Sequence, residues 1–319
     1  MKVWLHKVSR ERQGGVTTYV TNLLRHFSED VQVVEAAPCD VVLHVGPHDY
    51  EIDGESWQAL DVYGHNARQV VVVHDLIPEV LWGRNDIREG RKTAFSRADA
   101  VIAVSQWTKS DIVRQYGVPE DKIHVVYHGV DHRVFNAKTP LSGSPRGKYI
   151  LYIGKRDEYK RFRWFLRHIA PWMWRHPLWR LVCTGEPFCR REIAWLWLMG
   201  LRFRTTVKRY SEQELADLYA HAGLFVFPSV YEGFGIPLLE AMASGVPVVA
   251  SRSSCLPEIA EDAAAFFEKD DGKSLRKAID QCLSDGVFRE GLITRGRARA
   301  AEFSWRKCAL GTEKVLKGR

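Results

Sequence analysis

Four consecutive β-branched residues, Val70-Val71-Val72-Val73, constrain this chain more than any other feature, because such a run cannot alternate between core and water. A strand of this kind needs cover on both faces, which is the condition of a parallel sheet flanked by helices. Residues 31–36, 41–45, 100–104 and 124–127 carry related apolar runs, and residues 2–8 begin the series. A Gly-Gly loop and an amphipathic stretch at residues 16–27 follow that first run, which is strand-then-helix order. A second series starts at residues 149–153 and continues through 179–183, 224–227 and 246–250. Between the two, residues 136–148 hold two prolines, two glycines and polar filler without periodicity, as a linker does. The expected class is α/β, with a parallel β/α/β sheet in each of two domains over residues 1–140 and 149–302. Residues 303–319 read as a C-terminal helix that either domain can accommodate, with a return onto the first left open.

The length, 319 residues, suits two separate cores, and 45% hydrophobic against 27% charged residues excludes wholesale disorder. Lys and Arg total 46 against 39 Asp and Glu, a surplus of seven that favours phosphate-bearing partners without naming one. No stretch approaches the roughly 20 apolar residues of a membrane helix. The first residues place charge within the apolar run and offer no cleavage site, so a secretory signal is not expected. Six cysteines without C-x-x-C spacing read as buried thiols of a reducing compartment. The expected location is cytoplasmic, with peripheral contact at the inner face of the membrane left open.

Chemistry concentrates in residues 228–250, Pro-Ser-Val-Tyr-Glu-Gly-Phe-Gly-Ile-Pro-Leu-Leu-Glu-Ala-Met-Ala-Ser-Gly-Val-Pro-Val-Val-Ala. Two glycines let the backbone pass close to a ligand, Pro237 suits the first turn of a helix, and Gly245 suits its C-terminal end. A short helix is therefore expected from about Ile236 to Ser244. Its N-terminus, with backbone N–H groups near Phe234, Gly235, Ile236, Pro237 and Leu238, suits an anion such as a diphosphate. Glu232 before the turn and Glu240 inside the helix can accept hydrogen bonds from hydroxyls. The plainer alternative makes Glu232 a solvated loop charge and Glu240 a complement to the helix dipole.

The Glu-x7-Glu spacing from Glu232 to Glu240, with its loop, proline, helix and following Ser-Gly-Val-Pro-Val-Val strand, resembles the signature of retaining GT-B glycosyltransferases of family 4. The resemblance extends over nearly the whole chain. It implies two Rossmann-like domains facing across a cleft and transfer of a sugar from a nucleotide-diphosphate sugar, such as a GDP- or UDP-sugar, to a hydroxyl. Gly14 and Gly15 match the family's first glycine loop, used against donor phosphate and acceptor. Arg156 and Lys160 match its Gly-x-Arg-x3-Lys segment, where two cations meet the charge growing on a leaving diphosphate. His74-Asp75 matches the family's His-Asp pair at the end of a buried strand, with His74 touching the sugar and Asp75 either fixing its tautomer or capping the next helix. Glu232 would orient the sugar and Glu240 bind ribose. Residues 254–258, Ser-Cys-Leu-Pro-Glu, resemble the loop near the nucleobase. The chain departs from the family's Asn-Gly-Val-Asp by carrying His128, which puts any contact ascribed to that Asn in doubt.

The resemblance implies retention, no cofactor and no metal. No Asp-x-Asp, Gly-x-Gly-x-x-Gly or Walker pattern competes, and His44-x3-His48 runs through Gly46-Pro47, unlike a helical ligand pair. The acceptor is expected to be a glycan or lipid-linked glycan. A GT-B nucleotide-sugar epimerase and a non-catalytic nucleotide-sugar-binding module are the alternatives. Six of the eleven tryptophans lie in residues 164–197 among arginines. The helical spacing of Trp164, Phe165 and Ile169 favours core packing over a membrane-facing patch, and no module supports stacking on nucleic acid.

Overall fold

The computed structural model describes residues 1–6, 15–34, 38–45, 67–136, 147–156 and 158–318. Gly14, His48 and most of the expected linker lie outside the described residues. Two compact units emerge, Met1–Gly129 with Phe303–Arg319, and Val130–Glu302.

In the first unit the elements run β1 (Lys2–His6), α1 (Gly15–His26), β2 (Gln32–Val34), β3 (Val41–His44), β4 (Arg68–Val73), α2 (Ile77–Trp82), α3 (Asn85–Arg97), β5 (Ala100–Ala103), α4 (Gln106–Tyr116) and β6 (Ile123–Val125). They form one six-stranded sheet in the order β2-β1-β3-β4-β5-β6, parallel throughout. The four-valine run lies inside it, Val70 pairing with Leu43 on one side and Ala100 on the other. Val71 and Val73 pack with Leu76, Phe95, Val101 and Ile112. Ser105 caps α4 by accepting the Thr108 N–H, and Gly117 closes that helix in the left-handed region. The 31–36 run departs from expectation: β2 is the sheet's edge and Val33 is 39% exposed, so it lacks the cover implied by its composition.

The second unit contains β7 (Tyr149–Tyr152), α5 (Phe162–Arg175), β8 (Arg180–Thr184), α6 (Arg190–Leu198), β9 (Thr205–Lys208), α7 (Glu212–His221), β10 (Leu224–Phe227), α8 (Ile236–Ala243), β11 (Val248–Ser251), α9 (Leu256–Ala260), β12 (Ala265–Phe267), α10 (Gly272–Ser284) and α11 (Gly286–Ala301). Its parallel sheet runs β12-β11-β10-β7-β8-β9. Phe165, Leu166, Ile169 and Trp172 of α5 cover Ile150 and Leu181 in the main core. Ser211 and Glu214 form the expected reciprocal cap of α7.

The final helix, α12 (Trp305–Leu316), belongs to the first unit, where Glu313 accepts from the backbone N–H and hydroxyl of Ser28 at 2.7 and 2.8 Å. Gly129 makes that return possible: a Cβ there would stand 2.2 Å from the Trp305 nitrogen. All six cysteines are free thiols, with Cys189 exposed, Cys39 partly covered and the other four buried.

Candidate functional site

In the second sheet the chain builds outward from β7 through β8 and β9, then returns to lay β10 on the opposite side of β7. The carboxyl ends of β7 and β10 therefore flank a topological switch point, where open α/β sheets hold ligands. The segment after β7 carries Arg156 and Lys160, and the loop after β10 carries Glu232. Topology alone brings these distant pieces of sequence together.

Lys160 donates to Glu232 Oε1 at 2.5 Å, and each side chain is only 11% exposed. The Lys160 ammonium also lies 5.1 Å from the centre of the Phe227 ring and 5.3 Å from that of Tyr159. Backbone bonds stitch the two segments: Val230 N–H donates to the Tyr159 carbonyl at 2.9 Å, and Tyr152 OH donates to the Lys160 carbonyl at 3.1 Å. From a third loop, Ser254 Oγ accepts the Glu232 N–H at 2.9 Å and Cys255 Sγ donates to the Glu232 carbonyl at 3.2 Å. Ser254 does this from a left-handed backbone, φ 48°, a strained state that neighbouring structure must hold in place. The 254–258 loop thus clamps the backbone of Glu232.

Arg156 lies elsewhere in the same region. Its Nε donates to Glu192 Oε1 at 2.5 Å, and its Nη2 donates to the carbonyls of Glu186 and Pro187 at 2.7 and 3.2 Å. Phe188 lies beneath the guanidinium at 5.0 Å. The third nitrogen, Nη1, faces the two glycines at the strand ends, 3.5 Å from where a Gly185 Cβ would be, with the Gly154 carbonyl 3.9 Å from the same point. Lys160 borders Gly154 in turn, its Cε 3.4 Å from a Cβ built there. Desolvation raises the Glu192 pKa, yet hydrogen bonds from Arg156 and from Cys189 outweigh it and hold the carboxyl below its ordinary value. Of the other cations in this segment, Arg161 pairs with Asp270.

Gly235, at φ 90°, introduces α8, and Pro237 occupies its first turn. Leu238 N–H is taken by the Gly235 carbonyl, but no side chain caps that end and no acidic residue stands in the first turn, so the dipole faces the loop uncompensated by charge. Phe234 and Leu238 are buried, and Ile236 and Pro237 half-buried. At the other end Val246 N–H bonds the Ala241 carbonyl and Gly245 N–H the Met242 carbonyl, the paired closure that a left-handed glycine permits. Glu240 accepts from Tyr219 OH at 2.9 Å. Burial pushes its carboxyl up to about 7, against the pull of that hydrogen bond, and Glu212 adds to the rise. Glu240 is therefore not a solvated dipole complement.

In the first unit, Gly15 is the exposed first residue of α1, and a Cβ there would meet nothing within 4 Å. His74 follows β4. Its ring bonds the Val45 backbone, and the buried Nε2 has no partner among the described residues. Burial lowers its pKa to about 4, so the ring is neutral, with Nδ1–H directed at Val45 and Nε2 left as an acceptor. Asp75 caps the following helix, accepting the Ile77 N–H at 3.0 Å. Tyr19, 5.0 Å from His74 between ring centres, and His128, at 5.4 Å, surround it. His44 is bonded to Gln69, and among the described residues no three His, Cys, Asp or Glu side chains are grouped to hold a metal ion.

Sequence reasoning did not single out Glu192, Tyr219 or a clamping role for Ser254. Glu192 had a local signal, standing third in its helix after Cys189, where a side chain returns to the cap's N–H. Its partnership with Arg156 had none.

Residues 147–285 match the family described as glycosyl transferases group 1, and residues 39–134 match glycosyltransferase family 4. The O-antigen chain mannosyltransferase B of Escherichia coli is 33% identical over 241 residues, 70% of this chain and 62% of that protein. The O-antigen chain mannosyltransferase RfbU of Salmonella typhimurium is 30% identical over 228 residues, 69% of this chain and 63% of that protein. The chain thus spans about three fifths of the length of these curated relatives. Among solved structures, HepE of Anabaena in complex with UDP and glucose superposes with a TM-score of 0.81 at 17% identity, covering 100% of this chain and 99% of that one. Two parallel six-stranded sheets with this likeness are the GT-B architecture. The chain belongs to family 4 of the glycosyltransferases.

Proposed function

We propose that the chain is a retaining, metal-independent glycosyltransferase that moves a hexose from a nucleotide-diphosphate sugar to a hydroxyl of a glycan or lipid-linked glycan. The observation that carries this reading is the Lys160–Glu232 pair at the switch point, beside an uncompensated helix N-terminus. The diphosphate binds there: the first N–H groups of α8, near Phe234, Gly235 and Ile236, receive its charge, and Pro237 and Leu238 fix that turn. Glu240 accepts from the ribose hydroxyls. Gly15 and His74 of the first unit bind substrate, His74 accepting a hydrogen bond from a sugar hydroxyl at Nε2.

In the reaction the bond from the anomeric carbon to phosphate oxygen breaks, and a bond to the acceptor oxygen forms on the same face. The acceptor's proton passes to the departing phosphate oxygen. Lys160 and the free edge of Arg156 stabilise the charge developing on that leaving group, the role a metal takes elsewhere, while Glu232, released from Lys160, holds the sugar's hydroxyls. The two relatives' names support a hexosyl donor and make mannose the first sugar to try. The UDP bound by HepE supports a nucleotide-diphosphate ligand.

The test is a panel of UDP-, GDP- and ADP-sugars with glycan and lipid-linked acceptors, following nucleotide release and the anomeric configuration of the product. Nucleotide released from one donor, slowed by roughly 10²–10³-fold in Lys160→Ala, with an axial donor bond kept axial, is the expected result. Isomerised donor without release identifies an epimerase, and binding without turnover under every acceptor identifies a binding module. Either overturns the proposal.

A further inference from the structure

Helix α6 opens with Arg190 and Arg191 and closes with Trp197 and Leu198, and its exposed positions are these four together with Ala194. Residues seven apart lie almost in line on a helix, so Arg190 stands in register with Trp197 and Arg191 with Leu198. The exposed face is thus basic at one end and apolar at the other, while only Leu196 is buried. Trp197 is 57% exposed and Leu198 70%. Phe203, 79% exposed, meets Trp197 edge-on with ring centres 5.1 Å apart. Trp174, 56% exposed in the last turn of α5, donates its indole N–H to the Met199 carbonyl at 2.9 Å, which fixes it at the same corner. The core reading of the tryptophans holds for Trp172, with Trp164 and Trp179 packed against that core, and fails for Trp174 and Trp197.

Charge along this stretch of the sequence is one-sided, although Arg161 and Lys208 are paired with Asp270 and Glu214 from beyond it. Residues 161–210 hold eleven Lys and Arg against two acids, a surplus of nine in a chain whose whole surplus is seven. Both acids are already engaged, Glu192 with Arg156 and Glu186 with Arg209. Arg167, Arg175, Arg190, Arg191 and Arg202 have no carboxylate partner among the described residues. Arg190 and Arg191 stand in a first turn, where the helix dipole disfavours cations.

We propose that this corner of the second unit docks on an anionic lipid bilayer, with α6 lying in the plane of the headgroups. Trp174, Trp197, Leu198 and Phe203 enter the boundary between headgroups and acyl chains, and the unpaired arginines meet lipid phosphates. Indole suits that depth because its ring is apolar and its N–H is not. A second copy of the chain would bring the same positive surplus and be repelled, so charge selects the lipid face over self-association. The inference goes beyond the donor reading and is independent of it.

Sedimentation of the whole chain with vesicles tests it, comparing phosphatidylcholine alone with an equimolar mixture of phosphatidylcholine and phosphatidylglycerol. The chain is expected to pellet with the mixed vesicles and not the neutral ones, with a blue shift in tryptophan emission. Trp197→Ser with Phe203→Ser, and separately Arg190→Gln with Arg191→Gln, each weaken partitioning by about tenfold or more with circular dichroism unchanged. The arginine pair keeps the test independent of folding, since removing cations from a helix N-terminus relieves the dipole. No pelleting, pelleting that survives either pair of substitutions, a dimer abolished by the aromatic pair, or capture of a single-stranded oligonucleotide in place of vesicles overturns the proposal.

Discussion

His74 at the end of β4 is a half-buried base kept neutral, while Glu240 in the second turn of α8 is a half-buried acid whose carboxyl is pushed up to about 7. Both are displaced by the same cause, loss of water around the charged form, and they move in opposite directions. His74 falls from 6.5 to about 4, so its contribution to the first unit is present above 6.5 and lost as pH drops through about 4. Glu240 rises from 4.5 to about 7, so its contribution to the second unit is present below 4.5 and lost as pH climbs through about 7. These two groups therefore contribute opposite slopes over nearly the same window. Where full charges are buried, both units supply partners: Lys160 with Glu232 and Arg156 with Glu192 in the second, Arg91 with Glu79 in the first. His74, kept neutral, is surrounded by Tyr19 and His128.

Breaking the paired charge gives the largest effect. Lys160→Ala removes the leaving-group cation and strands Glu232, lowering turnover by roughly 10²–10³-fold and stability by about 3–5 kcal/mol. Adding Glu232→Gln to that variant restores most of the stability and none of the activity, as denaturant midpoints and nucleotide release will show. Full recovery of turnover in the double variant would break the contrast between the units.

Glu240→Gln keeps an acceptor for Tyr219 and deletes the ionisation. It stabilises the second unit by about 3 kcal/mol at pH 8, leaves it nearly unchanged at pH 4.5, and weakens donor binding. Thermal melts across that range measure the slope, and an unaltered slope would remove Glu240 from the comparison. His74→Phe acts on the other limb, flattening the loss of stability between pH 6.5 and 4.5 by about 2 kcal/mol. His128, also buried and shifted below its ordinary value, leaves part of that limb in place. Gly235→Ala gives the smallest effect, about 1–2 kcal/mol at every pH, because a Cβ at φ 90° also stands 3.0 Å from Leu256 Cδ2. A pH-dependent loss there would mean that the helix entry and Glu240 are coupled.

The interior strands were legible because burial on both faces demands unbroken apolar runs, as at Val70–Val73 and Leu224–Phe227. β9, Thr205–Lys208, was not legible, since an edge strand can carry Thr, Thr and Lys and still pair on one side. Helix limits around α8 could be read from Pro237 and Gly245, whose backbone requirements are local. Partners across long separations could not. Nothing near Arg156 points to Glu192, 36 residues on, and nothing near Glu240 points to Tyr219. Those pairings come from strand order, and the titration of Glu240 comes from desolvation, neither of which spacing encodes. Composition likewise counted the tryptophans without telling Trp172, turned into the core, from Trp174 two residues later.

One nine-residue helix holds Arg156 by its third residue and presents Trp197 near its far end. An α-helix transmits displacement along its axis because its backbone bonds leave no slack over two turns. The residue that fixes one edge of the guanidinium and the aromatic ring presented to the outside of the second unit therefore share a single rigid support, α6.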